Sequence, residues 1–317
     1  MNRKRIWRSA LKIFISIVIL LNVVAGFHAF KFTHYDPSIT HKTRNPYQIS
    51  FPEKIKTLVF GVNNPRPTNK LFPSRIFETI SIPSNKRIEG WFIKAGSSKG
   101  TVIIFHGYSG QKSSMLDKAE LFLNLGYSTF LVDFMGSGGS EGNQTTIGFY
   151  EAIEVKDAFD GIQKRGEKNI ILFGTSMGAA AIMKAQKDYT LKASALIVEC
   201  PFGTMLETVQ ARFKVMKVPA FPMANLLVFW GGFENNFNAF RHNPQEYAKD
   251  ISCPTLLLYG EKDIDVSRKE IEEIYKNLKG KKELCTYPLS GHENYLKKYK
   301  DKWTADVTSF ISKINRE

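Results

Sequence analysis

Residues 170–178 read Ile170-Ile-Leu-Phe-Gly174-Thr175-Ser176-Met177-Gly178, and the chain continues as Ala179-Ala-Ala-Ile-Met183-Lys184. An apolar run that stops at Gly-x-Ser-x-Gly and passes at once into small, helix-prone residues predicts a strand, a sharp turn and a helix, with the serine on the turn. Such a turn strains the backbone of the serine, so the positions two before and two after it must be nearly free of side chain. Both are glycine. Ser176 is thereby the candidate nucleophile. The pattern recurs at Gly138-Gly139-Ser140-Glu141-Gly142, after the apolar run Tyr127–Asp133. There, loop residues separate strand from serine and no helix starts on it, so Ser140 is expected in a flexible loop.

A serine hydroxyl needs a histidine to take its proton and a carboxylate to hold that imidazole in the right tautomer. When the serine sits on a strand-to-helix elbow, the acid and then the histidine follow in the chain, each at the carboxyl end of a strand. The run Cys253–Tyr259 ends in Gly260-Glu261-Lys262-Asp263, and Lys282–Tyr287 leads to Ser290-Gly291-His292. Asp263 and His292 are the expected acid and base, with Asp265 and Glu199, which closes the run Ala195–Val198, as alternative acids. Of the six histidines, His28, His34 and His41 lie in or just after an N-terminal apolar segment, and His242 sits in a polar stretch before Asn243-Pro244. His106 follows the strand Thr101–Phe105, and its ring is expected to brace the His106-Gly107 turn. The backbone N–H groups of Tyr108 and Met177 are the expected donors to a developing oxyanion.

These residues carry a family likeness. From about residue 75 to the end, the chain resembles the alpha/beta hydrolases, in the branch that includes serine-aminopeptidase-like and monoacylglycerol-lipase-like enzymes. The matching marks are His106-Gly107, the loop Asp133-x-x-Gly136-x-Gly138-x-Ser140-x-Gly142, Gly174-Thr-Ser176-Met-Gly178, Glu199-Cys-Pro-Phe202, Gly260-x-x-Asp263 and Gly291-His292. Position 199 is often aspartate in similar chains. The resemblance implies an α/β fold with a mostly parallel central sheet flanked by helices. It leaves the substrate open, because that branch spans esters, thioesters, lipids and peptides and a fold does not fix a function.

The rest of the chain fits one α/β unit behind an N-terminal extension. Arg75–Ile82 and Arg87–Ile93 read as an antiparallel hairpin at the sheet edge. Parallel strands are expected at about 101–105, 127–133, 169–173, 194–199, 254–259 and 283–288, and helices near 113–125, 147–165, 176–188, 266–279 and 293–313. The interval of about 201–250 is too long for an ordinary connection. Its middle, Val218–Trp230, is apolar and aromatic, and is expected to form a helical cap lining an acyl or other apolar pocket.

Residues 1–30 open with Asn2-Arg-Lys-Arg5 and Arg8 and continue as an apolar stretch near the lower limit of the roughly 17–25 residues a membrane span needs. With no clean small-x-small cleavage site, they are expected to form a signal anchor, with a cleaved signal peptide as the alternative. Basic residues stay cytoplasmic, so either reading exports the catalytic domain. Residues 31–74, with Pro37, Pro46, Pro52, Pro65, Pro67 and Pro73, read as an extended connector, and the hydrolase unit is expected at 75–317. Cys200, Cys253 and Cys285 are expected as buried free thiols, with no metal-ligand spacing among them. The formal charge of +14 is spread over the n-region and scattered lysines, without a nucleic-acid-reading motif, and favours closeness to anionic lipid. The expectation is therefore a membrane-anchored serine hydrolase needing no cofactor, metal or nucleic acid, acting on a small acyl ester. A peptidase or amidase is the runner-up, and a non-catalytic binding protein on the same fold the third reading.

Overall fold

A computed structural model describes residues 3–43 and 50–314; Asn2 and Pro46 lie outside these. Helix α1 (Arg3–Thr33) is followed by α2 (Phe51–Phe60) and the strands β1 (Glu78–Ile82), β2 (Ile88–Ile93) and β3 (Thr101–Phe105). Then come α3 (Leu116–Asn124), β4 (Ser128–Asp133), α4 (Glu151–Lys164), β5 (Ile170–Thr175), α5 (Met177–Tyr189) and β6 (Ala195–Glu199). The interval before the next strand holds α6 (Met205–Met216), α7 (Met223–Glu234) and α8 (Pro244–Tyr247). β7 (Thr255–Gly260), α9 (Arg268–Asn277), β8 (Lys282–Tyr287), α10 (Tyr295–Lys298) and α11 (Lys300–Ile314) complete the chain.

The eight strands form one sheet in the order β1-β2-β4-β3-β5-β6-β7-β8. β2 runs antiparallel to β1 and β4, and every other neighbouring pair is parallel. β3 to β7 are apolar at nearly every position because helices cover both faces. Alternation then sorts the side chains: Ile103, Phe105, Leu172 and Leu257 enter the core on the α4–α5 face, and Val102, Ile104, Phe173 and Leu258 the core beneath α3 and α11. The resulting parallel order brings the carboxyl ends of β3, β5, β6 and β7 to one rim.

Several expectations are revised. Ser140 is buried, not flexible: its hydroxyl donates to the Asp133 carbonyl at 2.6 Å and accepts the Glu89 N–H at 2.8 Å. Arg66 binds the same loop through the Gly138 and Ser140 carbonyls at 2.9 and 2.5 Å. The helix expected at 113–125 begins as a 3-10 turn over Lys112–Met115, and the one expected at 293–313 is broken at Tyr299. Residues 31–74 are not extended throughout, since α2 forms behind Ser50, whose amide and hydroxyl both donate to Glu53 at 2.8 Å.

The segments flanking α2 are stitched to the sheet-bearing unit. The Phe32 carbonyl accepts from Tyr108 Oη at 2.6 Å and from Asn64 Nδ2 at 3.1 Å, and the Thr33 carbonyl from the Thr145 N–H at 2.8 Å. The Phe32 and Tyr108 rings stack at 4.6 Å. Removing residues 1–33 deletes these three hydrogen bonds, worth about 2–4 kcal/mol together at ordinary net values. The truncated chain is expected to unfold several degrees lower. Thermal unfolding in one mild detergent checks this, and an unchanged midpoint would contradict it.

Candidate functional site

β5 delivers Ser176 to the rim and α5 begins on the next residue. Ser176 holds φ 52° and ψ −110°, a left-handed conformation that strains a non-glycine residue, and its N–H is tied to the Glu199 carbonyl at 2.8 Å. The flanking glycines explain why the chain can turn there. A Cβ on Gly174 would lie 2.6 Å from the Gly178 carbonyl carbon, and one on Gly178 would lie 2.7 and 2.8 Å from the Phe105 and His106 carbonyl oxygens. Each obstacle is backbone, which yields little. Gly178→Ala is therefore expected to lower the unfolding temperature by several degrees, as read from thermal melts of matched preparations, and an unchanged midpoint would contradict it.

Three side chains meet at this turn. His292 Nε2 is 2.9 Å from Ser176 Oγ, and His292 Nδ1 is 2.7 Å from Asp263 Oδ2. The second Asp263 oxygen accepts the Asp265 and Val266 N–H groups, both at 2.9 Å, which fixes the carboxylate in a buried turn. Gly260 lets the two loops approach: a Cβ there would lie 2.5 Å from the Ser290 carbonyl oxygen. Burial works against the charged form of His292, but Cys200 and then Asp263 outweigh it, so the imidazole holds its proton well above the usual histidine range. Such a relay can take a proton from the hydroxyl and hand it on.

Asp265 and Glu199 are placed differently. Asp265 supplies a backbone donor to Asp263. Glu199 is buried and spent on structure, accepting from Trp303 Nε1 at 2.6 Å and Thr175 Oγ1 at 3.0 Å, with Lys118 Nζ 3.4 Å away. His106 is buried and braces its turn: Nδ1 donates to the Gly107 carbonyl at 2.8 Å and Nε2 accepts the Phe134 N–H at 3.1 Å. His242 is also buried, contrary to its polar sequence setting, and is pushed down to about 4 by burial.

The Gly107 turn passes close to the serine, since a Cβ on Gly107 would lie 3.6 Å from Ser176 Cβ. Neither the Tyr108 nor the Met177 amide has an acceptor within the chain among the described residues. Met177 N–H belongs to the first turn of α5, where such donors are left over and the helix end is electropositive.

Cys200 follows β6 directly and is a buried free thiol, whereas Cys253 and Cys285 are free but half-buried. Its sulfur lies within 4.8 Å of the Asp263 and His292 ligand atoms. Neither its place beside the pair nor the role of residues 31–74 had a signal in the sequence.

Ser176 and His292 open into a cleft of about 640 Å³, bordered by Thr208, Arg212 and Val215 of α6 and by Phe32, Val62 and Asn64 of the N-terminal segment. The apolar stretch 218–230 does not line this cleft. α7 packs instead on α1, with Trp230 Nε1 donating to Asn22 Oδ1 at 3.1 Å. Leu227, Val228 and Gly231 of α7 line a separate apolar cavity of about 130 Å³, which shares Phe32, Val62, Thr208 and Arg212 with the cleft. α1 is long and apolar enough to cross a membrane by length and composition, and its first half presents Trp7, Ile13, Phe14 and Ile17 outward.

A family model described as serine aminopeptidase, S33, matches residues 96–246, a span that includes Ser176 and stops short of Asp263 and His292. The Bacillus subtilis (strain 168) protein YqkD is 25% identical over 232 residues, 72% of this chain and 76% of that one. A lysophosphatidylserine lipase from Macaca fascicularis, ABHD12, is 26% identical over 187 residues. That match covers 55% of this chain and 44% of the lipase, so the chain spans less than half of that relative's length. Among solved structures, the Pyrococcus furiosus esterase Pf2001 superposes with a TM-score of 0.68 at 24% identity, covering 79% of this chain and 97% of the esterase.

Proposed function

The chain belongs to the alpha/beta hydrolase superfamily, and from that premise we propose that it is a membrane-anchored serine esterase acting on an acyl ester with an apolar chain. The observation that carries the reading is the unbroken line from Ser176 Oγ through His292 to Asp263 at 2.9 and 2.7 Å. Ser176 Oγ attacks the ester carbonyl carbon as its proton passes to His292 Nε2. The carbonyl oxygen becomes an oxyanion held by the Tyr108 and Met177 N–H groups. When the tetrahedral intermediate collapses, the leaving alkoxide takes the proton from His292. Water then gives a proton to His292 and attacks the acyl-serine, and the carboxylic acid leaves with Ser176 reprotonated.

α1 as an uncleaved anchor, with the catalytic unit on the extracytoplasmic side, accords with the basic residues at its start. Residues 31–74 act with the 75–317 unit in this reading, because Phe32 and Asn64 border the cleft. The match to a family model described as serine aminopeptidase favours a second reading, cleavage of amides. The cleft speaks against it: an amino-terminal ammonium calls for carboxylates, and the borders carry Lys42, Lys54 and Arg212 against Asp265.

Turnover of a chain-length series of nitrophenyl esters beside the matching nitroanilides, with the full chain in mild detergent, tests the proposal. The apolar cavity is close in size to the engineered cavity of about 150 Å³ that takes up benzene, so a chain of about six carbons suits it. Ester turnover peaking at such chains is expected. Preferential turnover of aminoacyl anilides would transfer the protein to the peptidases.

A further inference from the structure

Three basic side chains converge on the cleft that holds Ser176 and His292: Lys42 from the N-terminal segment, Lys54 from α2 and Arg212 from α6. None pairs with a carboxylate among the described residues, and Asp265 is the acidic side chain on the cleft border. Like charges gathered in a partly desolvated space repel one another and are costly unless an anion joins them. Lys42 registers this, its pKa lowered first by burial and then by the neighbouring charge of Arg212.

Arg212 sits where the two spaces meet, bordering both the cleft and the apolar cavity, with its guanidinium 4.6 Å from the centre of the Phe32 ring. A guanidinium over an aromatic face gains a cation–π contact and still has five N–H donors, whose planar fork matches a phosphate. With the His292–Asp263 pair set aside as neutral overall, three positive charges and one negative leave the cleft border near +2, which complements a phosphate monoester of about −1.5 to −2 at neutral pH. Beyond Phe32 the apolar cavity between α1, α6 and α7 accepts a short length of hydrocarbon.

We propose that Lys42, Lys54 and Arg212 form a phosphate subsite in the Ser176 cleft, which selects single-chain acyl esters bearing a phosphate monoester over neutral ones. The proposal rests on the cleft being an ester site and adds the charge of its substrate. The phosphate binds beside the alcohol half of the ester, the acyl chain enters the apolar cavity, and the ester carbonyl lies against Ser176.

The test is binding rather than turnover, so that it survives a wrong assignment of the chemistry. The full chain in micelles of an uncharged detergent is titrated with two non-hydrolysable ether amphiphiles of identical chain, one ending in glycerol and one in glycerol phosphate, and with glycerol 3-phosphate itself. The phosphate amphiphile is expected to bind at least tenfold more tightly than the neutral one, and this preference is expected to fall as salt rises. Lys54→Gln and Arg212→Gln, residing on different helices, are each expected to cut the preference to threefold or less. Arg212→Lys keeps part of it, and Lys276→Gln, outside the cleft, keeps all of it. Equal binding of the two amphiphiles, or a preference untouched by both cleft variants, overturns the subsite. Glycerol 3-phosphate binding as tightly as the amphiphile overturns the assignment to a chain-bearing ligand. Loss of Ser176-dependent ester turnover beside an intact phosphate preference would instead defeat the esterase reading alone.

Discussion

Ser176→Ala is expected to lower kcat for a medium-chain ester by about 10⁵ to 10⁶, leaving the residual acceleration that oxyanion donors and substrate positioning give without a nucleophile. The size follows from what the alanine removes: the attacking oxygen itself, and with it the proton that His292 would receive. KM is expected to change little, because the hydroxyl is a small part of the cleft wall. The elbow should stay folded, since its shape comes from Gly174 and Gly178 and from the Ser176 N–H bond to Glu199, all of which survive the change. Initial rates with matched wild-type and variant protein check this. A fall of tenfold or less would mean that another group attacks the carbonyl.

Asp263→Asn is expected to lower kcat by about 10⁴, with little effect on folding. Asparagine offers His292 Nδ1 an amide in place of a carboxylate, so the neutral tautomer with its proton on Nδ1 is no longer favoured and the imidazolium formed during attack loses its counter-charge. The pH dependence follows from the same pair. His292 must be neutral to accept a proton, and its pKa is raised above the ordinary value, so kcat/KM should rise with pH through an ionisation above about 6.5. Asp263→Asn should move that midpoint to lower pH. Stability runs the other way: a raised folded pKa means the protonated pair stabilises the fold fully below the unfolded value, and that contribution disappears as pH rises through the folded value. Rate profiles and thermal midpoints over the same pH range should slope oppositely; parallel slopes would contradict this account.

The inner strands β3 to β7 were readable because they are nearly continuous apolar runs, a pattern that burial on both faces requires. The elbow was readable because Gly174 and Gly178 are where no Cβ fits. Asp263 and His292 follow from strand ends, and the 2.7 Å between them is what that placement implied. What escaped the sequence depends on contacts between distant segments. Ser140 looks like a loop residue until Asp133 and Glu89 are seen to hold it. Pro-punctuated residues 31–74 carry no catalytic pattern, yet Phe32 and Asn64 brace Tyr108. The apolar stretch 218–230 gave neither its partner nor its exposure: α7 buries Ala224 and Val228 and packs on α1, while Val218, Phe221 and Phe229 stay exposed. Arg212 is one basic residue in an ordinary helix, and only the fold brings it to Lys42.

Reaction of the full chain with a fluorophosphonate, followed by peptide mapping, shows whether Ser176 is a nucleophile activated through His292 and Asp263. One adduct per chain is expected, on the peptide carrying Ser176, formed at least a thousandfold more slowly in folded His292→Ala. An adduct on another residue, or none on folded wild-type protein, would contradict it.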